Sequence, residues 1–494
     1  MATSPCAIPL VVGVACGPLE DGAAGAVGET LGSIFRDLRG AYPHTPLLLL
    51  STEPPEARTT THEAARAQQV EVQQDRSLAQ ISLVSDILVV ITDESASAPK
   101  EVSAVVARRE IGHRTGGPGH LLDPLEVATT YEVVIRKGMA LVGPLPIKRI
   151  YPPRFNGDGS SEADFQSGLA RLDRFNEDIV SVPVPVGDSL PSEKVFAAAD
   201  GAANALQRRF LLWQRVLYAF AFAAAAAQVV GACPAAFGAA FASAKIVAAV
   251  GVVCAYVVVR QADYQNRYQD YRALSEGLRV ESAWTHGGVS DSVDNGYLRM
   301  QQTELKWIRT ALRTVSFLQA REVAQARNTA ALCDWVEGQR EYYLNASALQ
   351  NARNLRFGRF IHVMEPINVI AGVAFFIGLI SPKNWSIRMS MPFHDGFGSA
   401  EYWLGVLAGV AALTIALLIS YVRARAFSEH ANRYQRMYLL FDQAYRLLQG
   451  PPELDETTER EVARQLGREA LAEHAEWLLT QRERPISVVY TGAT

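Results

Sequence analysis

Four long apolar stretches constrain the fold of this chain more than any other feature of its sequence. They cover Leu211–Val230, Phe237–Val259, Val363–Ile380 and Tyr402–Val422, and residues 231–234 are the short linker inside the first pair. Each stretch is about long enough to cross a hydrocarbon layer of roughly 30 Å as a helix. The sequence therefore predicts four membrane spans arranged as two hairpins, with the rest of the chain in water.

Basic residues at the outer ends of both hairpins favour membrane spans over the alternative, buried core helices of a soluble protein. When every large segment stays inside the cell, arginine and lysine are expected at these ends. The pattern predicts a multi-pass protein of the inner membrane with both termini and all soluble domains in the cytoplasm. The flanking residues are Arg208, Arg209, Arg215, Arg260, Arg267, Arg272, Arg353, Arg356, Arg359, Arg423, Arg425, Arg433 and Arg436.

Net charge and cysteine content exclude several classes of protein and of binding site. The formal net charge of −4 argues against a nucleic-acid-binding protein, which would carry a strongly basic surface. The five cysteines form neither a CxxC pair nor a zinc-like set with histidine, and an odd number does not suggest a disulfide framework. We therefore expect neither a metal site nor nucleic acid as a partner, and the N-terminus shows no signal-peptide pattern.

Residues 1–207 alternate between short apolar runs and amphipathic segments, which is typical of an α/β domain. Continuous apolar runs that end in polar residues or glycine are expected for buried parallel strands. The predicted fold is a Rossmann-like cytoplasmic domain, followed by an α-helical membrane region with long cytoplasmic helices. The predicted strands are Ile8–Cys16, Pro46–Ser51, Ile87–Asp93 and Thr130–Arg136, and the helices are Gly25–Leu38, Pro99–Arg109 and Leu169–Ile179.

Ligands of such doubly wound sheets bind outside the carboxyl ends of the strands. The glycines after the first strand lack the GxGxxG and GKS/GKT signatures, so a simple strand-to-helix turn is the alternative to a phosphate cradle. Asp86 and Asp93 could each hold a ribose hydroxyl or merely cap a strand. The candidate ligand-binding residues are Gly13, Gly17, Ser51, Thr92 and Asp93.

The remaining sequence predicts helices that are continuous with the spans or follow them. A helix over Arg260–Ser282 is predicted to continue directly from the second span, and a long helix to run from Tyr297 to His362. An amphipathic helix over Glu456–Gln481 closes the chain. The predicted divisions are 208–296 for the first hairpin and its helix, 297–362 for the stalk helices, 363–450 for the second hairpin and its helix, and 451–494 for the C-terminal helix and tail.

A four-residue identity suggests that the hairpin unit is duplicated. Asn266–Gln269 after the second span and Asn432–Gln435 after the fourth both read Asn-Arg-Tyr-Gln. A repeat at corresponding places predicts a repeated structural unit, while chance similarity between two basic helices is the alternative.

Two charged residues lie within or beside the apolar stretches. Lys245 could ring a pore mouth or extend its ammonium group to the membrane surface. Glu365, just before Pro366, could line a cation path or be a solvated charge at a helix end. Both are candidate pore or gate residues.

Small residues four apart predict close packing between the third and fourth spans. Gly405 and Gly409 form a GxxxG pattern in the fourth span, and Ala374 and Gly378 have the same spacing in the third. Such faces allow helix backbones to approach closely within a chain or between copies of it. A homo-oligomer in the lipid bilayer is therefore expected.

Five segments carry a resemblance to known proteins: Ala41–Ser51, Arg272–Val280, Tyr297–Leu312, Asp334–Tyr343 and Leu466–Pro485. They resemble bacterial membrane proteins that join an N-terminal SLOG-like Rossmannoid domain to SLATT-type two-span effector modules. The sequence departs from enzymatic SLOG domains, because Gly116–Gly119 lacks the threonine and glutamate of their PGGxGTxxE motif. Thr52–Arg58 also replaces a glycine–acidic ligand loop.

The resemblance implies a ligand sensor coupled to a membrane pore. SLATT modules are proposed to form pores in prokaryotic conflict systems, including antiphage defence, and SLOG domains to bind or process nucleotide-derived ligands. The expectation is an ion-channel-like, non-enzymatic effector that senses a nucleotide second messenger and needs no other cofactor. A membrane-anchored scaffold without a pore, or a membrane-tethered nucleotide-processing enzyme, are the alternatives.

Overall fold

The chain folds into two compact units, each built from several segments. A computed structural model describes residues 4–17, 23–51, 55–73, 77–93, 100–112, 128–136, 143–152, 161–183, 189–230, 235–298, 305–322, 327–380, 400–450 and 454–482. Unit 1 contains Met1–Ala203, Gln269–Asn328 and Ala463–Ala475. Unit 2 contains Asn204–Tyr268, Thr329–Val462 and Glu476–Thr494. The 231–234 linker and the Gly116–Gly119 loop lie outside the described residues.

Unit 1 contains a six-stranded sheet in the order β3-β2-β1-β4-β5-β6. The first five strands along the chain pair in parallel, and β6 is antiparallel to β5. This order confirms the predicted Rossmann-like sheet, although the short outer strands β3 and β6 were not predicted. The strands are β1 Leu10–Cys16, β2 Leu47–Ser51, β3 Glu71–Gln73, β4 Ile87–Asp93, β5 Thr129–Ile135 and β6 Ile147–Ile150.

Thirteen α-helices occur in the described part of the chain. The helices up to α5 are α1 Ala23–Ala41, α2 Pro55–Ala67, α3 Leu78–Val84, α4 Lys100–Glu110 and α5 Ser161–Asp178. The others are α6 Pro191–Val230, α7 Ala235–Ala262, α8 Tyr264–His286, α9 Lys306–Glu322, α10 Thr329–Ile380, α11 Ala400–Arg425, α12 Phe427–Gln449 and α13 Glu456–Arg482.

Helices cover both faces of the sheet in unit 1. Residues of α1, α2 and α5 join one core cluster, in which Phe35 and Leu49 are fully buried. Residues of α3 and α4 cover the opposite face, together with Phe317 and Leu318 of α9. Because α9 lies more than a hundred residues beyond the strands it covers, residues 1–207 do not contain the whole α/β layer structure.

Two predicted helices are each interrupted in the structure. The segment from Tyr297 to His362 is not one helix, because α9 ends at Glu322 and α10 begins at Thr329. Asn328 precedes α10, where asparagine is favoured as a cap, and its backbone nitrogen donates to the His286 carbonyl at 3.0 Å. The helix after the second span is also not continuous, since Asp263 separates α7 from α8.

In unit 2, the long helix α10 packs antiparallel to α11 and α12 through aromatic side chains. Trp335 lies 5.3 Å from Phe441 between ring centroids, near the start of α10 and the end of α12. At the other end of α12, Phe357 stacks on Phe427 at 5.5 Å. This pairing places the helix that leads into the third span directly against the helix that follows the fourth.

Four long helical stretches of the described chain each contain an 18-residue window apolar enough for a membrane span: Pro191–Gln228, Ala240–His286, Thr329–Ile377 and Trp403–Gln449. Each stretch includes most of one predicted span. Only 6% to 17% of each window is buried inside the structure. Side chains such as Ile246 and Ile370 are 66% and 68% exposed, and apolar surface of this extent favours a membrane protein.

Candidate functional site

The carboxyl ends of three parallel strands meet at one edge of the sheet in unit 1. β1 lies between β2 and β4, with Ser51 opposite Val14 and Cys16 opposite Ile91. The Gly17 backbone nitrogen donates to the Ile91 carbonyl at 3.1 Å. Gly17, Ser51 and Thr92 are therefore at the same edge, as predicted. The backbone of Asp93 ends β4 there, while its side chain lies outside the described residues.

Gly13 occupies a different position from the other candidates. It lies in the middle of β1, where a Cβ atom would collide with the side chain of Ile81 and lie 3.0 Å from Ser85. The absence of a side chain thus lets α3 approach the sheet closely. The structure supplies a packing reason for this glycine, away from the ligand edge.

A buried glutamine at the carboxyl end of β3 was missed by the sequence analysis. Gln73 is only 5% exposed, and neither its amide nitrogen nor its amide oxygen has a hydrogen-bond partner among the described residues. A buried amide without partners is costly, by about 1–3 kcal/mol per group, so a ligand or ordered water is expected beside it. Gln73 lies opposite Leu50, one residue before Ser51.

Asp86 lies at the opposite, amino-terminal edge of the sheet. Its Oδ2 atom accepts a hydrogen bond from the Val11 backbone nitrogen at 3.0 Å, and the side chain is 1% exposed. Of the two roles considered for this residue, the structure supports the strand cap. A ribose contact at the carboxyl edge is excluded for Asp86 by its position.

Unit 1 also contains a buried charged cluster around the end of α8. Oε2 of Glu281 accepts from the Val293 backbone nitrogen at 2.9 Å, and Asp294 pairs with Arg313 at 2.8 Å. Burial is the largest cause of a raised pKa at Glu281, hydrogen bonds from Val293 and Ser316 lower this pKa, and the nearby Asp294 carboxylate raises it; together they bring the pKa to about 7. Glu281 lies beyond the apolar segment Phe237–Val259 and can titrate near neutral pH.

Glu281 should make the stability of unit 1 depend on pH. Its folded pKa exceeds its unfolded value, so its contribution is fully present below about pH 4.5 and is lost as pH rises through about 7. We expect the free energy of unfolding to fall by about 2 kcal/mol more between pH 5 and 8 in the wild type than in Glu281→Gln. Chemical unfolding of the detergent-solubilised full chain at several pH values measures this difference.

Glu276 on the same helix provides a matched control for the pH experiment. Burial acts to raise its pKa, but Arg279 and Arg272 outweigh burial and hold the pKa below its ordinary value. In Glu276→Gln, the free energy of unfolding should therefore change between pH 5 and 8 as much as it does in the wild type. If it also changed equally in the wild type and in Glu281→Gln, Glu281 would not titrate in this range.

In unit 2, each second span of a hairpin ends at a residue with left-handed backbone geometry. Asp263 after α7 has φ 49° and Ala426 after α11 has φ 45°, and a new helix begins at the next residue in both cases. Such geometry costs a non-glycine residue roughly 1–2 kcal/mol. The two Asn-Arg-Tyr-Gln sequences begin three residues after Asp263 and six residues after Ala426, so they do not occupy equivalent positions. The left-handed break recurs in both hairpins, while the duplication of the unit stays a prediction.

The two charged pore candidates are both at helix positions open to the surroundings. Lys245 in α7 donates from Nζ to Oε1 of Gln228, near the end of α6, at 3.0 Å. Glu365 is 53% exposed and lies 3.6 Å from Nδ1 of His362 on the preceding turn. These contacts fit a lysine near the outer end of its hairpin and a carboxylate near the start of the third span.

Glycines of the second and fourth spans pack against aromatic rings, a contact that the pattern of small residues did not predict. A Cβ at Gly405 would lie 2.8 Å from the Phe375 ring of α10, and one at Gly251 would lie 2.6 Å from the Phe220 ring of α6. In both hairpins an aromatic ring of the first span rests on a glycine of the second. Gly409, Ala374 and Gly378 lie in α11 and α10 as expected.

The Gly405–Phe375 contact predicts a difference between two glycine-to-alanine variants. Gly405→Ala should destabilise the second hairpin by about 1–3 kcal/mol, because the added methyl group overlaps the ring. Gly372→Ala is the control, since no atom lies within 4 Å of its added Cβ, and alanine favours helices. Thermal unfolding of the full chain in detergent compares them, and equal midpoints would contradict the contact.

The chain matches no protein-family model, and no curated protein or solved structure is significantly similar to it.

Proposed function

We propose that this chain is an oligomeric membrane effector in which the Rossmann-like unit senses a nucleotide-derived ligand and gates a pore. The observation that carries the proposal is that at most 17% of each of four apolar helical windows is buried, in a chain that also contains a Rossmann-like sheet. In the proposed arrangement the spans lie in the inner membrane and the sheet is in the cytoplasm. Several copies of the chain surround the pore.

The ligand is proposed to bind at the carboxyl edge of β1, β2 and β4. This is the point where strand order reverses, and nucleotides bind there in other sheets of this order. Gly17 and Ser51 lie at that edge, and the partnerless amide of Gln73 ends the adjoining strand. An amide can accept from an amine or hydroxyl group and donate to an oxygen, as nucleobase or ribose recognition requires. The unit is proposed to sense the ligand rather than to process it.

Coupling to the spans is proposed to run through helices that pass between water and lipid. α10 is a single 52-residue helix from Thr329 to Ile380, so a displacement at its start is transmitted to the third span. The left-handed residues Asp263 and Ala426 are proposed hinges, because a few terminal residues commonly absorb such motions. Gating requires that the ligand bind the open and closed states with different affinity.

Ion flux from liposomes containing the purified full chain tests this function. A panel of linear and cyclic nucleotides is added, and flux is recorded with a fluorescent ion indicator. We expect at least one nucleotide to trigger flux. Gln73→Leu should raise the concentration needed about tenfold, while Gln80→Glu, at an exposed position of α3 where glutamate keeps the capping box with Ser77, should not change it.

The alternatives give different outcomes in the same experiment. Nucleotide binding without flux would contradict the pore and favour a membrane-anchored scaffold. Turnover of the added nucleotide, followed by chromatography, would instead indicate a membrane-tethered enzyme. The absence of binding by every nucleotide in the panel would overturn the sensor role.

A further inference from the structure

Unit 1 contains a small cavity that lies away from the carboxyl edge of the sheet. Its volume is about 130 Å³, and it is bounded by the C-terminal end of α1, by β5 and β6, and by α5. Asp37 and Tyr42 contribute from the α1 side, Tyr131 and Arg149 from the paired strands, and Phe165 from α5. None of these residues was singled out by the sequence or used in the proposed function.

Four of the eleven residues that line this cavity carry aromatic rings. Tyr131 and Phe165 are buried at 7% and 8% exposure, and Tyr42 and Tyr151 are partly exposed at its mouth. The rings of Tyr151 and Phe165 are tilted at 56°, with centroids 6.2 Å apart. Four aromatic side chains around so small a volume form a cage whose ring faces are electron-rich.

One carboxylate lines the cavity and a second lies behind its lining residues. Asp37 is part of the lining, whereas Oε1 of Glu162 accepts hydrogen bonds from two lining residues, the Tyr151 hydroxyl at 3.0 Å and Gln166 at 3.1 Å. Burial raises the pKa of Tyr131, and Glu162 and Asp37 raise it further, although Arg149 and the hydrogen bond with Tyr151 lower it. Burial, the largest of these causes, disfavours a charge of either sign, so it is the carboxylates of Glu162 and Asp37 that favour a cation in the cavity.

One aromatic ring of the cavity, that of Tyr131, is already in contact with a cationic side chain of the same protein. The guanidinium carbon of Arg149 lies 5.4 Å from the centre of the Tyr131 ring, directly opposite it in the β5–β6 pairing. Arg149 is exposed, so its side chain can move into water at little cost. A cation from solution could take the same place on the ring.

We propose that this cavity binds a small organic cation, with an alkylated ammonium or guanidinium group seated against Tyr131 and Arg149 displaced. Cation–π attraction to several rings is the known basis for recognising quaternary ammonium groups. The carboxylates of Asp37 and Glu162 add favourable charge. This proposal does not depend on the sensor function at the other edge of the sheet.

Choline binding to the full chain in a maltoside detergent, which contains no ammonium group, tests the proposal. Titration calorimetry should detect binding of choline, while its neutral isostere 3,3-dimethylbutan-1-ol should bind roughly tenfold more weakly or not at all. Equal binding of the two compounds would reduce the site to an apolar pocket and overturn the proposal. The absence of choline binding would also overturn it.

The variant Arg149→Ala separates a cation site from an anion site. Because Arg149 competes for the Tyr131 ring, its removal should tighten choline binding about threefold to tenfold, and it is exposed enough for the protein to fold. An anion site would behave in the opposite way, losing affinity for acetate in the same variant. Weaker choline binding in Arg149→Ala would contradict the proposal.

Three further variants test whether choline binds in this cavity. Asp37→Asn, at an exposed position, should weaken choline binding severalfold, and Tyr131→Leu about tenfold or more. Tyr342→Leu removes a tyrosine that is 43% exposed on α10 and should leave binding unchanged. Equal affinities for wild type, Asp37→Asn and Tyr131→Leu would place the bound cation elsewhere.

Discussion

Replacing Arg109 with methionine is expected to destabilise unit 1 by about 3 kcal/mol or more. Arg109 is the largest fully buried side chain among the described residues, at 1% exposure, and its guanidinium group contacts several carbonyl oxygens. It donates to the carbonyl of Ser82 at 2.7 Å, to that of Thr129 at 3.1 Å and to that of Ser85 at 3.3 Å. Methionine keeps much of the volume but removes this charged donor from three buried acceptors, at about 1–3 kcal/mol each.

The neighbouring residue provides the control for this prediction. Arg108 is exposed on the same helix turn, so Arg108→Met should change stability by less than about 0.5 kcal/mol. Hydrogen exchange of the full chain in detergent, followed by mass spectrometry, reports on the elements that Arg109 joins. We expect faster exchange in peptides covering β4 and β5 for Arg109→Met only. Equal protection in both variants would show that the buried hydrogen bonds contribute little.

Removing Arg313 is expected to destabilise unit 1 by about 3–5 kcal/mol. Nε of Arg313 lies 2.8 Å from Oδ2 of Asp294, and both side chains are less than 10% exposed. Arg313→Met leaves the Asp294 carboxylate buried without this partner, beside the Glu281 carboxyl. The penalty comes from the uncompensated charge, because burial strengthens repulsion and removes hydration. Glu281 should then remain protonated to still higher pH.

An exposed pair of the same chemistry is the control. Arg468 lies 2.8 Å from Asp291, with side chains 57% and 37% exposed, so Arg468→Met should cost no more than about 1 kcal/mol. Chemical unfolding at pH 7 compares the two variants, and added salt should reduce only the Arg468 effect. If both variants lost a similar free energy of unfolding, burial would not strengthen the Asp294–Arg313 pair.

The pattern of apolar residues along the sequence was sufficient to predict most of the candidate ligand-binding edge of the sheet. β1, β2 and β4 are buried on both faces and therefore appear in the sequence as continuous apolar runs. Their parallel pairing then brings Gly17, Ser51 and Thr92 to one edge. Gln73 could not be predicted, because a three-residue strand has no recognisable periodicity and its burial depends on neighbours from other segments.

The sequence by itself determined the four apolar spans and the alternating strands and helices of the Rossmann-like unit. These features follow from the length and period of apolar runs, which are local properties of the chain. Only the tertiary structure decided that α9 covers one face of the sheet, that Arg109 binds carbonyls in the core, and that four aromatic side chains line one cavity. Each of these joins residues far apart in sequence, so its energy comes from packing and desolvation that no local pattern records.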